Sequence, residues 1–142
     1  MTNSMRAPIG GVHVFPLRVY YEDTDFSGRV YFANYLKFME RGRSEFLREL
    51  GVLHQDMASR ESMTWAVKRV TVDYLKPALL EDSLTVHTRA LDIGGARVKL
   101  AQDVRRGGEI LVTSEVEVCL IADGKPRRIP AAIRAKLEKS SI

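Results

Sequence analysis

Residues 19–51 read VYYEDTDFSGRVYFANYLKFMERGRSEFLRELG. Three unlike pieces follow one another here. Residues 15–21 favour extended structure, with Val19, Tyr20 and Tyr21 together. Residues 22–29 form a polar loop with one glycine, Gly28. Residues 34–50 then carry a helical pattern. Tyr35, Phe38 with Met39, Gly42, Phe46 and Leu50 recur at spacings of three and four and make one apolar stripe. Lys37, Arg41, Glu45, Arg48 and Glu49 fall largely away from it, and Arg41 with Glu45 is an i,i+4 pair. Gly51 follows the last periodic residue and suits the first position beyond a helix. A helix of ~17 residues is ~25 Å long. Gly42 is the odd member of the stripe, costing about 1 kcal/mol against alanine. Either the helix tolerates it, or another element comes close to the backbone there.

Beyond a connector around residues 52–63 the period changes from helical to two. Residues 65–75 alternate and stop at Pro77. Residues 83–93 stop at Gly94-Gly95, and residues 96–105 stop at Gly107-Gly108. Residues 109–121 alternate with Ile110, Val112, Ser114, Val116, Val118 and Leu120 on one face. The glycine pairs are hairpin signals because they accept positive φ at low cost. The last three strands therefore read as an antiparallel meander. Asp123-Gly124 marks one more turn, and Pro130 opens a short helix over residues 131–139. One strand, a long helix, four long strands and a short helix make an α+β chain. A twisted sheet can wrap the long helix, with Gly42 at the contact. Such a layer leaves one sheet face and an edge strand open, so a homodimer is expected.

The chain has 142 residues, which allows one compact domain. Residues 1–11, with Pro8, Gly10 and Gly11, read as a flexible leader, and residues 12–142 as a single domain. Hydrophobic residues at 45% and charged residues at 28% exclude wholesale disorder and collagen-like structure. The single cysteine, Cys119, excludes a disulfide framework and Cys-cluster zinc sites, and its apolar neighbours make it an inert buried thiol. No apolar run approaches the roughly 20 residues of a membrane span, and the N-terminus lacks a signal-peptide pattern. A cytoplasmic protein, or one peripheral to the inner membrane, is the expectation.

The net charge of +4 is unevenly placed. Residues 124–142 hold six bases and one acid, while the first 123 residues hold 16 bases against 17 acids. A duplex-binding surface draws phosphate contacts from several elements. A terminal cluster suits a phosphate-bearing small molecule, a membrane surface, or solvent alone. No aromatic residue interleaves with these bases, which argues against single-stranded nucleic acid. Phosphate-cradling glycine loops are absent. His13, His54 and His87 lie far apart and form no metal-binding spacing, so each reads as a surface or strand residue.

Glu22-Asp23-Thr24-Asp25 places three carboxylates within four residues, between a strand and the long helix. One reading is a solvated turn or a helix cap. The other is chemical. Asp25 would sit near the helix N-terminus, where free backbone N–H groups and the positive end of the dipole gather. A carboxylate beside an anion-stabilising amide is what acyl transfer needs.

The pattern Y-x-E-D-T-D-x-x-G-x-V-Y-x-x-N-Y resembles the hotdog-fold acyl-CoA thioesterases of the 4-hydroxybenzoyl-CoA thioesterase family, most closely its YbgC-like, Tol–Pal-associated subgroup. CLIADGKPRRIP, residues 119–130, is similar to that family's final strand and its exit. The similarity runs from about Leu17 through nearly the whole chain. It implies a hotdog fold, an antiparallel sheet wrapped around one long central helix. It implies hydrolysis of acyl-CoA to free acid and CoA without a metal or redox cofactor. It also implies a dimer with sites at the subunit interface, often paired into a tetramer, with acyl carrier protein as a further partner. The alternative is a non-catalytic hotdog protein that holds acyl-CoA or acyl carrier protein.

Carried over by position, the catalytic aspartate is Asp25, acting as nucleophile or as general base. Tyr21 lies near the site. The backbone N–H of Phe32 polarises the thioester carbonyl. Gly28 lets the acyl group approach, Asn34 fixes the helix start, and Lys125, Arg127 and Arg128 meet the nucleotide phosphates. Glu22 and Asp23 shape the loop. The sequence departs at Phe32, where YbgC-like proteins carry His, and at Arg29, where the family has a small apolar residue. Phe26 and Phe32 would make the surroundings apolar and raise the pKa of Asp25.

Overall fold

The computed structural model describes residues 12–50 and 63–140. The proposed leader, His54, Gly51 and most of the connector lie outside them. The elements are β1 (His13–Arg18), α1 (Asn34–Glu49), β2 (Met63–Tyr74), β3 (Ser83–Ile93), β4 (Arg97–Arg106), β5 (Glu109–Ala122), β6 (Lys125–Pro126) and α2 (Ala131–Ser140). A single 3₁₀ turn, Tyr21–Asp23, precedes α1.

The six strands form one antiparallel sheet in the order β1-β3-β4-β5-β2, with β6 paired to the end of β5. β3, β4 and β5 are the expected meander. α1 lies across the sheet and packs on β1, β3 and β4. This is the hotdog arrangement. The buried face of α1 carries Tyr35, Phe38, Met39, Gly42, Phe46 and Leu47. Tyr35, Phe38 and Met39 pack with Leu84, Val86 and Leu111 at one end, and Phe46 and Leu47 with Leu100, Leu120 and Leu137 at the other. Each large apolar side chain buried this way contributes about 1.5–3 kcal/mol.

Gly42 sits where helix and sheet touch. A Cβ there would lie 2.6 Å from Val86 Cγ1 and 3.1 Å from Val86 Cβ. The close-approach reading therefore holds over simple tolerance. Buried polar groups fix the same contact. Gln102 Nε2 donates to Met39 O and to Thr88 Oγ1, both at 2.9 Å. Arg43 Nη1 donates to Gln102 Oε1 at 3.0 Å. Gln102 thus ties a helix carbonyl to two strands, and its amide is satisfied despite burial.

Some boundaries differ from the sequence reading. β1 ends at Arg18, not residue 21, because the Asp23 carboxylate accepts the Tyr20 N–H at 2.9 Å and curls the chain into the 3₁₀ turn. Ile110 does not share the face of Val112. Val104 pairs with Val112 and Arg105 with Ile110, so Leu111 is an extra residue in the ladder. That bulge turns Leu111 into the core and Ile110 to solvent. The glycine pairs also differ. Gly107 has φ +61°, but neither Gly94 nor Gly95 has positive φ. Arg134 Nη2 on α2 instead donates to Gly94 O and Gly95 O at 2.8 and 3.1 Å. One of the six terminal bases is thus a structural clasp.

The two sheet edges are unlike. β1 is six residues long and contains Pro16, which cannot donate to a ladder. β2 is twelve residues long, contains no proline, and has no second neighbour among the described residues.

The Gly42 contact gives a test. Gly42→Ala gains helix propensity but forces a methyl into Val86, and overpacking costs about 1–3 kcal/mol. We expect a net loss of about 1–2 kcal/mol in urea unfolding. In a Val86→Ala background the same change should become neutral or stabilising. An unchanged midpoint in the wild-type background would show that the contact yields freely.

Candidate active site

The acidic loop is built by its own hydrogen bonds. Asp23 O accepts the Tyr31 N–H and the Asn34 side-chain amide, both at 3.0 Å. Asp23 therefore shapes the loop, and Asn34 ties the helix start to it. Asp25 heads a tight turn: Gly28 N–H donates to Asp25 O at 3.1 Å, and Gly28 has φ +80°. That φ favours glycine, which adopts it without steric cost. A Cβ at Gly28 would meet nothing within 4 Å.

The loop is stitched to residues 78–80. Val30 N–H donates to Ala78 O and Leu80 N–H to Gly28 O, both at 2.9 Å. Arg106 in turn holds that segment. Its Nη1 donates to Asp82 Oδ2 at 2.7 Å, and its Nη2 to Glu109 Oε1 at 2.9 Å. Asp82 Oδ2 also accepts the Leu79 N–H at 2.8 Å. The chain of contacts runs from Arg106 on the sheet to Asp25 at the loop tip.

Asp25 opens onto a cleft of about 420 Å³, lined also by Arg29, Tyr31, Phe32, Tyr35, Tyr74 and Lys76. Its wall is aromatic. The Phe32 ring lies 5.0 Å from Tyr31 and stands edge-on to Tyr74 at 6.0 Å. Tyr74 OH donates to Phe32 O at 3.2 Å. Tyr35 OH accepts the Ala78 N–H at 2.9 Å, and burial pushes its phenol above the ordinary range. Among the described residues no backbone carbonyl takes the Phe32 N–H. Asp25 and Phe32, the latter just before the helix start, thus line one cleft.

The Asp25 carboxylate is exposed. Its Oδ1 accepts the Ser27 hydroxyl at 2.6 Å and the Ser27 N–H at 2.8 Å. Both bonds fall on Oδ1, which leaves Oδ2 for a reacting atom. The Ser27 hydroxyl, then the Ser27 amide, with smaller help from Arg29, hold the Asp25 pKa below the ordinary carboxylate value. The sequence argument expected the opposite direction. It fails because Phe26 and Phe32 are themselves exposed and do not enclose the carboxylate.

The profile of the thioesterase-like superfamily matches residues 19–137. The chain belongs to that superfamily. It is 38% identical over 123 residues to the acyl-CoA thioesterase YbgC of Haemophilus influenzae, covering 85% of this chain and 90% of that protein. It is 35% identical over 129 residues to the acyl-CoA thioester hydrolase YbgC of Escherichia coli, covering 88% and 95%. The crystal structure of a probable thioesterase from Bartonella henselae superposes with a TM-score of 0.81 at 44% identity, covering 84% of this chain and 99% of that one.

Within this thioesterase-like chain the expected site residues divide into groups. Asp25 and Phe32 share the cleft, and Gly28 and Asn34 build the loop and helix start beside it. Tyr21 is exposed and faces a separate hollow with Tyr20 and Glu81. Lys125, Arg127 and Arg128 sit at the far end of the sheet. Met63 pairs with Ala122 and Tyr74 with Val112, so at ~3.3 Å per residue the two ends of β2 lie roughly 35 Å apart. The sequence marks Tyr35 only as part of the apolar stripe of the helix, and Tyr74 and Lys76 are not site candidates in it. No local signal marks Tyr74 and Lys76, which reach the cleft only through the fold. Cys119 is buried and free. Among the described residues no group of three or more His, Cys, Asp or Glu gathers as a metal site, and no helix is long and apolar enough to cross a membrane.

The Asp25 turn predicts a pH behaviour. With its folded pKa depressed, the turn contributes stability above the ordinary carboxylate range, and that contribution is lost as pH falls through the lowered value. Ser27→Ala removes the largest cause. An NMR titration of the Asp25 carboxyl should show a lowered midpoint in the wild type and a rise toward the ordinary value in Ser27→Ala. Identical midpoints in the two proteins would dismiss the Ser27 clamp.

Proposed function

We propose that the protein is an acyl-CoA thioesterase, hydrolysing an acyl-CoA to the free acid and CoA. The observation that carries this is that Asp25 and Phe32 line one cleft, with the Phe32 N–H taken by no backbone carbonyl among the described residues. The names of its relatives support the same reaction class. The Phe32 N–H donates to the thioester carbonyl oxygen and stabilises the oxyanion. Asp25 acts as nucleophile, or as general base that takes a proton from water. Both roles need the ionised carboxylate that Ser27 favours. On the general-base route the water oxygen adds to the carbonyl, and the tetrahedral intermediate expels the CoA thiolate, which collects the proton that Asp25 took. On the nucleophile route the thiolate leaves an acyl–Asp25 anhydride, which water cleaves to the free acid while its proton goes to the thiolate. Phe32 replaces a histidine side chain, yet a backbone donor survives any side chain. The chemistry draws on water and these groups, with no metal or redox cofactor. Acyl carrier protein is a further thioester donor in this reading, because it presents the same pantetheine arm.

The working unit in this proposal is a homodimer, or a pair of dimers. A two-fold pairing of β2 with β2 of a second copy runs antiparallel. It sets the Met63 end of one strand beside the Tyr74 end of the other. The basic hairpin at the far end of one protomer then approaches the Asp25 cleft of its partner. It also covers exposed Tyr74 and Leu75.

Thiol release from a panel of short, long and aroyl-CoA thioesters tests the reaction. Asp25→Asn should lower kcat by roughly 10²–10⁴. An equally active variant would remove Asp25 from the chemistry, and tight acyl-CoA binding without turnover in the wild type would turn the reading to a binding protein. The coenzyme role has its own test. Arg127→Ala with Arg128→Ala should raise KM for acyl-CoA roughly tenfold, as loss of charged hydrogen bonds does, and leave an acyl-pantetheine unchanged. Equal effects on both substrates would make the basic cluster a solvated end.

A further inference from the structure

Arg29 is the residue of the cleft that the sequence leaves unexplained. Its backbone is fixed against the catalytic loop on both sides. Arg29 O accepts the Asp25 N–H at 2.9 Å, and Arg29 bridges to Leu79. The origin of its side chain is therefore set relative to Asp25. Arg29 lines the same cleft. The other cation there, Lys76, is held by Glu109 at 2.7 Å. Among the described residues Arg29 enters no salt bridge. The cleft thus offers one guanidinium held by no salt bridge, whose charge already acts on the carboxylate of Asp25 beside it.

Such a guanidinium reads a planar anion well. In an acyl-CoA the anion has two sources, the coenzyme phosphates or a carboxylate on the acyl group. With the thioester carbonyl at Asp25, the phosphates are removed from the cleft by the whole pantetheine arm. A carboxylate a few bonds along the acyl chain remains beside it. Asp25 alone would repel that second carboxylate, and Arg29 supplies the compensating charge.

Resting on the thioesterase reading, we infer that Arg29 is a specificity-determining residue that selects acyl groups bearing a carboxylate at the end away from the thioester. The substrate class is the ω-carboxyacyl-CoA thioesters.

The test compares wild type with Arg29→Met on paired acyl-CoA substrates of five to twelve carbons. One member of each pair carries a terminal carboxylate and the other a methyl. The same acyl groups are also offered as pantetheine thioesters. In the wild type, kcat/KM should favour the carboxylated member at one chain length or more. Arg29→Met should cut the ratio of kcat/KM between the carboxylated member and its methyl partner roughly tenfold or more, whatever smaller loss both share through Asp25. The swing should persist with pantetheine thioesters. Loss on every CoA substrate with no loss on pantetheine thioesters would assign Arg29 to the phosphates and overturn the inference. A wild type that favours the methyl member at every length would overturn it while leaving the thioesterase reading intact. A wild type that cleaves no thioester in the panel would remove both.

Discussion

The contact of Gly42 with Val86 sets the depth at which the helix lies in the sheet. Everything else in the molecule depends on that depth. Without a side chain at position 42 the helix backbone comes within reach of Gln102, which bonds Met39 O and Thr88 together. A bulkier residue would lift the helix and strip the buried Gln102 amide of its helix partners, Met39 O and Arg43, at about 1–3 kcal/mol for each unsatisfied group. The apolar residues on either side of Gly42 then fall into the two halves of the core, one under each end of the helix.

A fixed helix start is also what gives the acidic loop its shape. Asn34 and Tyr31 anchor to Asp23 O, and the loop is stitched to residues 78–80, which Arg106 clamps from the sheet. Asp25 is therefore an exposed carboxylate on a rigid mount. Its charge is kept by local hydrogen bonds from Ser27, not by burial. Its aromatic surroundings come from two separate parts of the chain, residues 31–35 and Tyr74, and join as one wall only when β2 passes the helix start.

The basic tail has more than one use. Arg134 caps the carbonyls of the β3–β4 turn and belongs to the fold. Lys125 and Arg128 remain on the surface, at the end of the sheet opposite Asp25. The β2 edge that runs between the two ends is free of proline and has no second strand neighbour among the described residues.

Much of this was legible from the sequence, since local patterns act over short distances. The helical period over residues 34–50, the period-two runs and the turn residues determined the element order and the α+β class. The three-carboxylate loop before a helix start pointed to Asp25, and the family resemblance to the Phe32 amide. Alternation could not reveal the Leu111 bulge, because one extra residue in a ladder leaves no mark in composition. Nor could it tell that Gly94-Gly95 relies on Arg134, which is about forty residues away. Apolar neighbours in sequence suggested a raised Asp25 pKa, yet the direction depends on whether those rings enclose the carboxylate. The sequence alone decided which groups could do chemistry. The tertiary structure decided which of them meet, how far the charges lie apart and which way Asp25 titrates, because burial and distance are properties of packing between distant segments.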